Sequence, residues 1–104
     1  MKIAAFKMHL HKGHEDEYKK RHDEISEELK SLLKSSGISE YRIFLDYSTG
    51  DLFAIMNADN EEKLQALSAH PVMKKWWTFM KDIMDTNEDH SPVIVPLTEV
   101  FYMK

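Results

Sequence analysis

Between positions 15 and 34 one face of a helical wheel collects Tyr18, His22, Ile25, Leu29, Leu32 and Leu33, in steps of i, i+3, i+4 and i+7. This spacing predicts a helix over Glu15–Lys34, stopped by Ser35-Ser36-Gly37 with glycine at the expected C-terminal position. Upstream, Ile3–Leu10 alternates loosely and suits a strand with Ala4, Phe6, Met8 and Leu10 on one side, broken by His11-Lys12-Gly13. Downstream, Glu40–Tyr47 places Tyr41, Ile43, Leu45 and Tyr47 on one side of a second strand. Ser48-Thr49-Gly50 is a hairpin-length connection to a third, Asp51–Asn57. Asn60 is placed to cap a short helix over Asn60–Ala69, and His70-Pro71 punctuates before a further helix over Val72–Met84. The Asp85–Asp89 stretch reads as a polar loop and Val93–Tyr102 as a last strand.

The resulting order, β-α-β-β-α-β, is the split βαβ or ferredoxin-like pattern: an α+β fold with an antiparallel sheet and helices on one face. Strands one, three and four are nevertheless apolar on both sides. Val93, Val95, Leu97 and Phe101 oppose Ile94, Val100 and Tyr102 in the last one. A second copy of the sheet is the simplest cover for the bare face, so a homodimer with sheets face to face, a dimeric α/β barrel, is expected. Residues 1–104 are expected to form one domain.

Composition then narrows the classes. With 42% hydrophobic and 31% charged residues the chain has the make-up of a soluble globular protein. A net charge of −4 without a basic patch offers no footprint for nucleic acid. No apolar run approaches the ~18 residues of a membrane span. The absence of cysteine removes disulfides, thiolate nucleophiles and cysteine-ligated metals. Met1-Lys2-Ile3-Ala4 reads directly into a strand rather than a signal-peptide core, so a cytoplasmic location is the default expectation.

Candidate chemistry starts with Tyr18 and His22. At i, i+4 their Cβ atoms lie roughly 5–6 Å apart on one face, with Glu15 on the edge of the same stripe. Both can be core residues whose polar tips reach backbone carbonyls. Histidine, however, gains and loses a proton near neutrality, and a tyrosine hydroxyl can donate or accept a hydrogen bond. Trp76 and Trp77 point about 100° apart on a helix. They read either as a wide buried face or as a flat indole wall against the C–H face of a sugar. Tyr41 could complete such a wall. His9 and His11 share a strand face, with His14 nearby, but no carboxylate follows at a familiar spacing, and no metal site is assigned. The seven methionines read as core filling.

Three segments resemble the L-rhamnose mutarotase family: Glu17-Tyr18-Lys19-Lys20-Arg21-His22, then Trp76-Trp77-Thr78-Phe79-Met80-Lys81-Asp82-Ile83-Met84, then Ser91-Pro92 with Leu97-Thr98-Glu99-Val100-Phe101-Tyr102. The likeness runs nearly end to end. It implies a dimeric α/β barrel that interconverts the anomers of a deoxy-hexose without a cofactor. By that resemblance His22 is the proton donor, and Tyr18, Tyr41, Trp76 and Trp77 bind the sugar. One segment departs: where the family usually shows an Ile-Trp-Pro-Glu type sequence, this chain has Ile25-Ser26-Glu27-Glu28. The missing tryptophan bears on sugar choice or on packing.

The reaction so implied is hemiacetal opening. An acid protonates the ring oxygen, a base removes the anomeric hydroxyl proton, and the ring re-closes on the other face of C1. His22 is assigned as the acid, with the base left open to a water or a carboxylate. Rival readings on the same architecture are a cofactor-free or haem-degrading monooxygenase, with His22 or His70 as haem ligand, and a non-catalytic sugar sensor. Fold sharing does not choose among them.

Overall fold

The computed structural model describes residues 2–104. Its elements are β1 (Lys2–His9), α1 (Glu15–Asp23), α2 (Glu27–Ser35), β2 (Ile38–Leu45), β3 (Asp51–Ala58), α3 (Glu61–Leu67), α4 (Pro71–Met80) and β4 (Val95–Pro96). The strands form one antiparallel sheet in the order β2-β3-β1-β4. This is the ferredoxin-like α+β arrangement expected from the element order.

Register sorts the side chains by face. Met8 lies opposite Leu52 and Phe6 opposite Ala54, while Tyr41, Ile43 and Leu45 lie opposite Met56, Ala54 and Leu52. These alternate residues form the helix side of the sheet. Met8, Leu52 and Ala54 join Leu10, Tyr18, Met80, Ile83 and Met84 in the core, with Trp76 packed against it. The β2–β3 turn is closed by Asp46, whose carboxylate accepts from the Ser48 amide and hydroxyl at 2.9 and 2.7 Å. Gly50 follows at φ +82°, and a Cβ there would meet the Leu10 carbonyl oxygen at 2.7 Å. Glycine is thus required both by backbone conformation and by space.

The helix expected over Glu15–Lys34 is two helices. Backbone leaves α-helical geometry between Asp23 and Glu27, and Ser26 sits in extended conformation at φ −67°, ψ 149°. Its hydroxyl accepts from the Leu29 amide at 3.1 Å. A serine competes for backbone hydrogen bonds and favours such a cap over a helix interior. The acidic first turns of both helices, Glu15-Asp16-Glu17 and Glu27-Glu28, suit two positive dipole ends.

The second strand is Ile38–Leu45 rather than Glu40–Tyr47, which leaves Tyr47 in the turn, and two boundaries nearer the C-terminus also move. The last helix ends at Met80, and the chain turns so that Ile83 and Met84 are buried against β1: the His11 amide donates to the Ile83 carbonyl at 2.8 Å, and Leu10 bridges Met84. The last strand contracts to Val95–Pro96, paired with Lys7 and Phe6, plus one bond from the Leu97 amide to the Ala5 carbonyl. Pro96 carries no N–H for the ladder. From Thr98 onward the chain is unpaired, and Val100, Phe101, Tyr102 and Met103 are highly exposed. Ile3, Phe44, Ile55 and Val95 are exposed on the sheet itself, so its second face is apolar and bare. No helix among the described residues is long and apolar enough to cross a membrane.

Candidate active site

The short helix α1 presents Glu15, Tyr18 and His22 to a cleft of about 620 Å³ between the helices and the sheet. Tyr41 and Ile43 from β2 and Trp76 from α4 also line it. A smaller recess of about 60 Å³ shares Tyr18, His22, Tyr41 and Trp76 with the cleft and adds Trp77. All five candidate residues therefore converge, although they come from three separate elements.

Within α1 the i, i+4 spacing has a specific result. The His22 Nδ1–H donates to the Tyr18 carbonyl oxygen at 2.9 Å. A carbonyl can only accept, so Nδ1 carries the proton and Nε2 is the nitrogen left for a ligand. The two rings lie 4.3 Å apart at 33°, and Trp76 meets His22 edge to face at 5.1 Å. Burial holds the imidazole below its ordinary 6.5, against the opposing pull of the Tyr18 carbonyl. The neutral form therefore dominates at neutral pH, and the imidazolium is a stronger acid than free histidine.

The tyrosines act as neutral hydroxyls. Burial raises Tyr18 well above its ordinary 10, with Tyr41 adding to the effect, and burial pushes Tyr41 up to about 12. Tyr41 keeps 38% of its surface exposed.

Arg21, beside His22 in sequence, ties α1 to the end of α4. Its guanidinium donates to Glu17 at 2.7 Å, to the Phe79 carbonyl at 2.8 Å and to Asp82 at 2.8 and 3.2 Å. It also lies 4.4 Å from the Phe79 ring centroid. This bond set holds the helix of His22 against the helix of Trp76.

Sequence reasoning did not single out Thr86 and His90, which line the recess with Trp77. His90 adopts φ +73°, and its Nδ1 lies 3.0 Å from the Thr78 hydroxyl. The segment is tied down by the Asn87 amide donating to the Ser91 carbonyl at 2.7 Å. The Ser91-Pro92 motif beside it was the available signal, but only tertiary contact brings the loop to Trp77. The other histidines lie elsewhere. His9 and His11 meet Asp51 and Asp85 separately at 3.4 and 2.9 Å. His70 caps α4, its Nδ1 accepting from the Val72 amide at 3.1 Å, and lines neither cavity. Among the described residues no cluster of three histidines or carboxylates is arranged to hold a metal.

A family model described as L-rhamnose mutarotase matches residues 3–103. The chain belongs to the L-rhamnose mutarotase family. An L-rhamnose mutarotase of Formosa agariphila is 51% identical over 104 residues, covering 100% of both chains. One from Phocaeicola vulgatus is 48% identical over 103 residues, covering 99% of each. The crystal structure of an L-rhamnose mutarotase from Formosa agariphila superposes with a TM-score of 0.93 at 49% identity, over 100% of both chains. A protein from an uncultured marine organism, described as dimeric and ferredoxin-like, shares the fold alone: TM-score 0.58, 15% identity, 97% and 96% coverage. As a member of the L-rhamnose mutarotase family the chain is an isomerase that interconverts the anomers of a sugar. The monooxygenase and sensor readings find no counterpart in these relatives.

Proposed function

We propose that the cleft binds L-rhamnose and that His22 transfers the proton that opens its ring. The observation carrying this reading is the His22 Nδ1–Tyr18 carbonyl bond at 2.9 Å. It commits one nitrogen to the helix and leaves Nε2 at a wall shared with Trp76. A cleft of about 620 Å³ is of ordinary size for a small ligand. The indole supplies a flat apolar surface for the C–H face of a pyranose, and the Tyr18 and Tyr41 hydroxyls, neutral across the working range, orient ring hydroxyls.

In the opening step the imidazolium form of His22, the minor form at neutral pH but the stronger acid for its burial, gives its Nε2 proton to the ring oxygen. The C1–O5 bond breaks with its electron pair going to O5, while the anomeric hydroxyl loses its proton to a base. The aldehyde rotates about its bond to the next carbon, and re-closure in the reverse sense gives the other anomer. No atoms are gained or lost, and each proton is returned on closure. Acid–base placement of this kind contributes about 10²–10⁴-fold.

The test is saturation transfer between the anomeric proton signals of L-rhamnose in NMR. Exchange should appear with catalytic amounts of wild-type protein and fall by about 10²-fold or more in His22→Ala, with the circular dichroism spectrum unchanged. Full exchange in the variant would remove His22 from this role.

The same proposal includes a homodimer formed through the bare sheet face and the exposed 100–103 segment. The ferredoxin-like marine protein described as dimeric supports this reading. A cytoplasmic site of action completes it, and cell fractionation tests that part.

A further inference from the structure

Among the described residues, the buried side-chain polar atom without a hydrogen-bond partner is Oε2 of Glu15, and Glu15 lines the cleft. Glu15 opens α1, three residues before Tyr18 and seven before His22, so all three lie on one helical face. The nearby cations are committed elsewhere. Lys19, one turn on and lining the same cleft, donates to Asp23 at 2.8 Å. Arg21 is held by Glu17 and Asp82. The Glu15 oxygen thus has neither an ion pair nor a donor.

Burying a carboxylate oxygen without a partner disfavours the folded state. The positive end of the α1 dipole favours a nearby negative charge but supplies no hydrogen bond to this atom. An unpaired buried acceptor calls for a partner that the chain does not contain. An ionised carboxylate only accepts, so the missing partner must bring donors. Sugar hydroxyls are such donors. Asp23 also lines the cleft, but its carboxylate is already engaged by Lys19.

We propose that Glu15 is a sugar-contacting, specificity-determining residue whose carboxylate accepts hydrogen bonds from hydroxyl groups of the bound sugar. This assignment rests on the sugar reading of the cleft. It places the charged acceptor at one end of the α1 stripe and the proton-transfer group at the other, one helical turn beyond Tyr18. Sugars lacking the contacted hydroxyl leave the oxygen unpaired again, and that is the source of discrimination.

The experiment compares wild type, Glu15→Gln and Glu15→Ala by anomer-exchange kinetics on L-rhamnose and on its monodeoxy analogues, with thermal melts alongside. KM for L-rhamnose should rise roughly 10-fold or more in both variants, since hydrogen bonds to a charged group are among the stronger ones, and kcat should change far less. Wild type should lose roughly 10-fold with one deoxy analogue, and Glu15→Gln should not distinguish that analogue from L-rhamnose. Glu15→Gln should melt at the same temperature as wild type or higher, because Oε2 makes no hydrogen bond within the chain that the substitution could remove. A residue with a merely structural role would show the opposite.

An unchanged KM in Glu15→Gln overturns the assignment, as does a penalty spread equally over every deoxy analogue in both proteins. Wild-type protein that exchanges no anomers overturns instead the functional reading beneath it.

Discussion

The His22 Nδ1–H is donated to the carbonyl oxygen of Tyr18, one helical turn earlier, at 2.9 Å. One bond thereby fixes which tautomer the neutral ring adopts, aims Nε2 away from its own helix and ties the ring to the residue beside it. The helix contributes a backbone acceptor as well as a scaffold.

A pH dependence of stability follows from this burial. The folded state holds His22 below its ordinary 6.5, so between the two values the unfolded chain binds the extra proton. Stability from this group is fully present above pH 6.5 and is lost as pH falls through the folded-state value. The slope for one proton is at most about 1.4 kcal/mol per pH unit. Denaturant titrations of wild type and His22→Gln between pH 7.5 and pH 5 measure it. The variant should show a shallower decline, and parallel declines would contradict the buried neutral imidazole.

Arg21 acts on the site through the helices it joins. Its side chain is 11% exposed, whereas Asp82 is 63% exposed, so removing the guanidinium returns both carboxylates to water. Arg21→Leu should cost about 1–2 kcal/mol, less than a fully buried pair for that reason. It should also lower kcat by freeing α1 from α4 while the Tyr18–His22 bond within α1 persists. Melting temperature and anomer-exchange rate at a temperature where the variant is folded check the two parts. Arg21→Lys should restore little, because a lysine cannot reproduce the fork toward Glu17, Asp82 and the Phe79 carbonyl.

The bare sheet face and the exposed 100–103 segment together predict an assembly state. Val100 and Phe101 are 92% and 79% exposed, an arrangement costly for a free monomer in water. Light scattering coupled to gel filtration should give twice the chain mass for wild type. Phe101→Asp together with Val100→Asp should shift it to the monomer mass. A monomeric wild type would leave this face to another partner.

Local sequence determined much of what this protein is. Alternation marked β1, β2 and β3 because each strand has one face against the helices. Asn60 and Pro71 marked helix starts because their side-chain chemistry acts within a turn. The nearness of Tyr18 and His22 needed only helical geometry. Tertiary structure decided the rest. The stripe from Tyr18 to Leu33 looked continuous because periodicity does not register a break at Ser26, whose cap outweighs an uninterrupted helix. The last strand shortened because a ladder needs a partner, and β1 pairs with little beyond Val95–Leu97. Trp77, Thr86 and His90 meet only when α4 and the following loop fold together. Whether Glu15 is satisfied depends on where Lys19 and Arg21 spend their bonds, and that is settled in three dimensions rather than along the chain.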